Sequence, residues 1–245
     1  MSEITKAANE DYAYLKENIE TLNQSIEAAC RDSGRKVDEI HLIGVTKTYE
    51  PDVINASIRY GIREIAENRV QEITRKFEAI STDVEWHLIG HLQTNKVKYI
   101  IDKVKLIHSV DSLKLVEEIQ KRAAQINKVQ EILIQINIAD EEQKFGIQPD
   151  DLPQLLESIS KMNCVRVVGL MNIAPLVENV ENLRADFKQM KRLFDGLEGL
   201  GYSNVKSEFL SMGMSNDYRV AIEEGSNMIR VGTAIYGKRN YTGGC

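Results

Sequence analysis

The sequence predicts a closed (β/α)8 (TIM) barrel preceded by one extra helix. From residue 40 onward, short apolar runs alternate with segments of helical period, and the alternation continues to residue 237. Alternation of this kind builds a parallel sheet, and eight strand units within roughly 200 residues suit a closed barrel better than an open sheet. Polar and small residues cluster directly after the apolar runs, as the functional rim of a barrel requires. An open doubly wound sheet is the competing architecture, but no Gly-x-Gly-x-x-Gly follows the first strand.

The first segment, about residues 3–33, reads as a helix. Tyr12, Leu15, Ile19, Leu22, Ile26 and Ala29 recur every three or four residues, and Gly34 stops the pattern. Eight strands are then expected at Ile40–Thr46, Ile62–Ala66, Trp86–Gly90, Leu106–Val110, Glu131–Ile138, Val165–Asn172, Glu208–Met212 and Met228–Val231. The clearest intervening helices carry Leu113, Val116, Ile119, Ala123 and Ile126, and then Val180, Leu183, Phe187, Met190, Leu193 and Leu197. Asp111-Ser112 offers a cap for the first of these. No linker or low-complexity stretch divides the chain, so residues 1–245 are expected to form one domain, with the barrel at about 40–237 and a short C-terminal tail.

The bulk numbers exclude several classes. With 31 Lys+Arg against 37 Asp+Glu, the net charge of −6 argues against nucleic-acid binding. No apolar stretch is long enough to span a bilayer, and the polar start, Met1 to Asp11, is not a secretory signal. Cys30, Cys164 and Cys245 are few, odd in number and far apart, which fits a reducing cytoplasm and neither a disulfide framework nor a zinc site. Cys245, after Gly243-Gly244, reads as an exposed thiol, and the sequon Asn240-Tyr241-Thr242 carries no meaning without export.

The strand ends hold the chemistry. Strand one ends in Thr46-Lys47-Thr48, strand two in Glu67-Asn68-Arg69, strand six in Met171-Asn172, strand seven in Ser211-Met212-Gly213-Met214-Ser215 and strand eight in Arg230-Val231-Gly232-Thr233. The last two segments resemble an anion cradle, with glycines for close backbone approach and hydroxyls and N–H groups as donors. Two ligand-free turns would have the same composition. Arg230 sits inside an apolar run and needs a partner, either a structural carboxylate or a bound ligand. Lys47 could simply reach solvent. A lysine beside a phosphate cradle and an inward arginine is the set that pyridoxal 5′-phosphate needs, because a desolvated amine becomes a nucleophile toward the aldehyde.

Five stretches carry a resemblance to a known family: Val45-Thr46-Lys47, Glu67 to Glu72, Trp86 to Lys96, Phe209 to Ser215 and Ile229 to Gly237. The chain resembles the YggS/PROSC family of pyridoxal phosphate homeostasis proteins, whose barrel is like the N-terminal domain of alanine racemase. The resemblance implies that Lys47 is the Schiff-base lysine and that Arg230 faces the pyridine nitrogen. It implies a phosphate site at Ser211, Gly232 and Thr233, with Asn68, Met212 and Asn172 lining the cofactor. Ala66 and His91 depart from the commonest pattern, which has glycine and proline there.

The same resemblance implies a monomeric cytoplasmic carrier that buffers pyridoxal phosphate and delivers it to recipient apoenzymes, without established catalysis. An arginine opposite the ring nitrogen makes the ring a poor electron sink, which disfavours transamination. Racemisation stays open as an alternative, although a racemase also draws on a C-terminal β domain and a base from a partner chain, expected to be missing here. A Schiff-base aldolase acting on a sugar phosphate is a third reading. His87 and His91, four apart across a strand end, suit strand packing and the rim better than a metal site. Ser158-Ile159-Ser160-Lys161 reads as a solvated helix end and Asp140-Glu141-Glu142 as a solvated loop. Lys144-Phe145-Gly146 resembles another family stretch without an assigned role.

Overall fold

The computed structural model describes residues 12–138 and 145–237. Cys245, Asn240, Lys144 and the loop Asp140-Glu141-Glu142 lie outside the described residues, as does the start of the expected first helix. Helix α1 runs Ala13–Asp32 and buries Leu15, Ile19, Leu22, Ile26 and Ala29, the stripe its periodicity requires. Gly34 follows at φ 68°, a left-handed stop that glycine adopts without steric cost.

Eight parallel strands then close in sequence order: β1 His41–Val45, β2 Glu64–Glu67, β3 Glu85–Leu88, β4 Leu106–Val110, β5 Gln130–Gln135, β6 Val165–Met171, β7 Val205–Met214 and β8 Met228–Val231. The connecting helices are α2 Pro51–Arg59, α3 Val70–Lys76, α4 Leu113–Gln125, α5 Leu152–Ile159, α6 Arg184–Asp195 and α7 Tyr218–Glu223, and the four-residue α8 Thr233–Tyr236 follows β8. Between β3 and β4 the connection is a 3-10 turn, Thr94–Tyr99, rather than an α-helix. Ser112 takes the N-cap position of α4, yet its side chain makes no cap hydrogen bond. The expected eight-stranded closed barrel is thus the observed one.

The chain has two cores. The larger lies between the outer strand faces and the helices, and α1 joins it through contacts with α7 and α8. The smaller fills the lumen with Ile43, Val45, Ala66, Ile89, Leu106, Leu133, Val168, Met171 and Met228. Through that apolar lumen runs a line of polar side chains. His87 Nδ1 lies 2.9 Å from His108 Nε2, and His108 Nδ1 lies 3.0 Å from Ser211 Oγ. Because β4 and β7 are not neighbours in the barrel, the second contact must cross its interior.

Outside the barrel a second polar group is fully buried. Lys76 on α3 donates to Glu67 Oε1 (2.7 Å) and to the carbonyl of Thr46 (3.1 Å), and lies 3.0 Å from Glu72. Thr46 Oγ1 donates to the same Glu67 oxygen at 2.8 Å. Burial pushes the Glu67 carboxyl upward while Lys76 pulls it back. The cluster ties the ends of β1 and β2 to α3.

Two measurements follow. Lys76→Met leaves Glu67 buried without its cation, so it is expected to cost about 3–5 kcal/mol by urea denaturation, and a Glu67→Gln/Lys76→Met double variant to cost less than the single one. Burial holds His87 down at about 4 and moves His108 in the same direction. Below the ordinary histidine value of about 6.5 the unfolded chain therefore binds more protons than the folded one. Stability is expected to be full above that pH and to fall as pH drops toward 5, with a shallower fall in His87→Gln.

Candidate functional site

A cavity of about 460 Å³ opens at the C-terminal ends of the strands. Lys47, Asn68, Arg230, Gly232 and Thr233 all line it, so residues separated by up to 186 positions share one space. Lys47 is half-buried where β1 ends. The chain turns sharply there, with Tyr49 N–H donating to the Thr46 carbonyl at 3.1 Å. Thr48 takes φ 73°, a left-handed backbone costing a β-branched residue about 1–3 kcal/mol. Tyr49, which the sequence reading passed over, lines the cavity and donates from its hydroxyl to the Gly237 carbonyl at 3.0 Å.

Arg230 enters from β8 and is 4% exposed. Its Nη1 donates to Ser211 Oγ at 2.6 Å and its Nη2 to the Asn172 carbonyl at 2.7 Å. Burial pushes the guanidinium down to about 10, opposed by the nearby Asp217 carboxylate, so it stays charged at neutral pH. Asp217 is itself shifted upward by burial, against the pull of the Met214 N–H donating to its Oδ1 at 2.5 Å.

Three of the eight residues expected at the site do not line this cavity. Ser211 is fully buried beneath Arg230, Asn172 holds Arg230 through its carbonyl, and Met212 packs in the outer core. For Ser211 and Met212 the reason is depth: β7 runs on to Met214, so Ser211 faces the lumen below the rim and Met212 faces outward, and the strand is bulged beyond them. Ser211 pairs with Met228 and Met214 with Arg230, so three steps along β7 match two along β8. Gly213 sits in the bulge at φ 94°, where an added Cβ would meet Ala221 Cβ at 2.7 Å. Simple alternation fails across such an insertion. Beyond the bulge, Met214, Ser215 and Asn216 reach the rim and line the cavity. Ser215 Oγ accepts from the Gly232 N–H at 3.3 Å, bringing the glycine-rich ends of β7 and β8 together.

The remaining wall comes from the connection between β6 and α6: Ile173, Pro175, Leu176, Val177, Val180 and Leu183. Leu176 is 91% exposed at the mouth. Gly90 permits the approach of β3 to β2, since a Cβ there would lie 2.2 Å from the Asn68 carbonyl oxygen. His91 is a rim residue, stacked on Phe145 at 3.9 Å and 3.4 Å from Asp111. Ser158 and Lys161 make local contacts on an exposed helix end. Glu64, Glu85 and His87 come together at the opposite end of the barrel, where Glu64 Oε1 is taken by His41 Nδ1 at 2.7 Å.

Fold and site together define a class. Residues 11–240 match the family model for the alanine racemase N-terminal domain. The pyridoxal phosphate homeostasis protein of Aquifex aeolicus is 45% identical over 226 residues, 92% of this chain and 98% of that protein. The Escherichia coli K12 protein of the same name is 37% identical, over 93% and 98%. The chain belongs to this family of barrel proteins. Among solved structures, PipY of Synechococcus elongatus with pyridoxal phosphate bound is 31% identical with TM-score 0.78, covering 91% of this chain and all of that one. An alanine racemase from Clostridium difficile shares the fold at 17% identity and TM-score 0.71, and the match covers 57% of that chain.

Gly90→Ala is expected to displace the Asn68 backbone and lower stability by roughly 1–3 kcal/mol, measured by chemical denaturation.

Proposed function

We propose that this chain holds pyridoxal 5′-phosphate on Lys47, keeping the reactive aldehyde in store and releasing it to enzymes that need it. One observation carries the reading: Lys47, the buried Arg230 and the Gly232-Thr233 turn share a single cavity. The residues fit the group. Asn68 Oδ1 is buried without a partner at the cavity. A Cβ at Gly232 would press on the Val45 carbonyl at 3.3 Å, so glycine keeps that wall open. The names of the relatives and the occupied PipY structure support the same reading.

Bound there, pyridoxal phosphate supplies an aldehyde that a lysine amine captures reversibly with loss of water. The chain's residues have distinct tasks. Lys47 provides the amine. Arg230, held from behind by Ser211 and Asn172, offers a fixed cation to the ring nitrogen and keeps that nitrogen unprotonated. The phosphate falls to Ser215, Gly232 and Thr233, with backbone N–H groups and hydroxyls as donors. Asn68 would hold the cofactor from the cavity wall, and the apolar wall from Ile173 to Leu183 limits water. Ser211 and Met212 act from behind the site rather than touching the cofactor. The protein acts as a cytoplasmic monomer, and its partners are pyridoxal phosphate and apoenzymes that receive it.

The test is direct. Purified protein mixed with pyridoxal phosphate is expected to gain visible absorption, and borohydride to fix the adduct on the Lys47 peptide. Lys47→Ala is expected to lose both. A colourless wild type that takes up no cofactor overturns the reading. Sustained interconversion of D- and L-amino acids by the loaded protein would instead make it a racemase. Sedimentation of the loaded protein checks the monomer.

A further inference from the structure

The line of side chains through the lumen has a direction. Arg230 has only hydrogens to give, so Ser211 Oγ accepts from its Nη1 at 2.6 Å. Ser211 has one hydrogen of its own and is fully buried, and a buried hydroxyl hydrogen needs an acceptor. The other contact at Ser211 Oγ is His108 Nδ1 at 3.0 Å. His108 Nδ1 must therefore carry a lone pair, and its hydrogen sits on Nε2. That hydrogen points at His87 Nδ1, 2.9 Å away, which places the His87 hydrogen on Nε2 in turn. At the far end His87 Nε2 makes no hydrogen bond, but Glu64 Oε2 lies 3.5 Å away and its negative charge favours a hydrogen on that nitrogen, while His41 occupies the other carboxylate oxygen. The opposite direction fails at both ends. It would give Ser211 two donors and a stranded hydrogen, and it would set a histidine lone pair against a carboxylate.

We propose that His108 is a positioning residue for Arg230, acting through Ser211, and that its tautomer is set by its hydrogen bonds to Ser211 and His87, with the Glu64 carboxylate favouring the same direction from the other end of the barrel. Both histidines are neutral Nε2–H tautomers, so Ser211 keeps a lone pair turned to the guanidinium. With Asn172 holding the second nitrogen, the guanidinium plane is pinned toward the cavity. The groups facing His87 are Glu64 from β2 and His108 from β4, with His41, Lys105 and Glu131 within electrostatic range. His108 is faced by His87 and, across the lumen, by Arg230. Every one of these residues is separate from the cavity lining except Arg230.

Nitrogen-detected NMR of the histidine rings in cofactor-free wild-type protein tests the tautomers without relying on the proposed cofactor. Neutral Nε2–H rings for His87 and His108 near pH 7 are expected. An Nδ1–H or protonated ring at His108 overturns the proposal. The positioning role rests on the reading that pyridoxal phosphate binds at Lys47. His108→Phe and Ser211→Ala are each expected to weaken its binding about tenfold, the scale of a lost hydrogen bond to a charged group, and to shift the visible maximum of the bound form. The double variant is expected to be no weaker than either single one, since both break the same line. Ser211→Thr, which keeps the hydroxyl, is expected to restore binding and maximum. Folded His108→Phe with unchanged affinity and spectrum, or additive losses in the double variant, overturns the role. If His108→Phe does not fold, the Ser211 pair and the wild-type NMR still decide. A wild type without cofactor uptake sinks the binding reading but leaves the tautomers to stand or fall alone.

Discussion

The guanidinium of an arginine only 4% exposed must be satisfied by the barrel that buries it. A closed parallel sheet spends its backbone groups on its own ladders, so little backbone is free to serve a charge in the lumen. The exceptions are carbonyls at strand ends, and Asn172, just beyond β6, supplies one. The rest must come from side chains or from charge at a distance. Ser211 and Asp217 answer that need, one inside β7 and the other at the start of α7. The length of β7, its bulge and the turn into α7 all serve the one buried cation.

That dependence explains which parts of the site were legible in the sequence. The strand ends were readable because apolar runs stop where polar residues begin, which singled out Lys47, Arg230, Gly232 and Thr233, while Asn68 came through the family resemblance. Ser211 and Met212 were expected at the cofactor from the family resemblance, on a strand taken to end at Met212. The strand instead runs on to Met214 through a bulge at Gly213, which leaves Ser211 below the rim, and only the glycine within Ser211–Ser215 hinted at it. The apolar wall from Ile173 to Leu183 belongs to a connection with no period of its own, so no pattern announced it. His87 read correctly as a strand-packing residue, but its line to Ser211 joins strands that are not neighbours, and spacing along a chain carries no such information.

The number and order of the strands were the most legible features of the fold, since short apolar runs recur between segments of helical period. The helices were less uniform. The turn at Thr94–Tyr99 is 3-10 where the barrel pattern suggests an α-helix, and Ser112 sits at a cap without capping. Neither alters the rim, because helices outside a barrel can vary while the strand ends stay in place.

The cluster at Lys76 has a chemical side as well as a structural one. A small aldehyde does not by itself distinguish one lysine from another. Lys76 is tied to the carbonyl immediately before Lys47, so two primary amines approach the same strand end. All three hydrogens of the Lys76 ammonium are committed to oxygens of Thr46, Glu67 and Glu72, and no face of it reaches the cavity. If an aldehyde is captured at this strand end, as proposed, the fold itself supplies the chemoselectivity. One of the two amines lines the cavity and the other is enclosed by oxygens away from it.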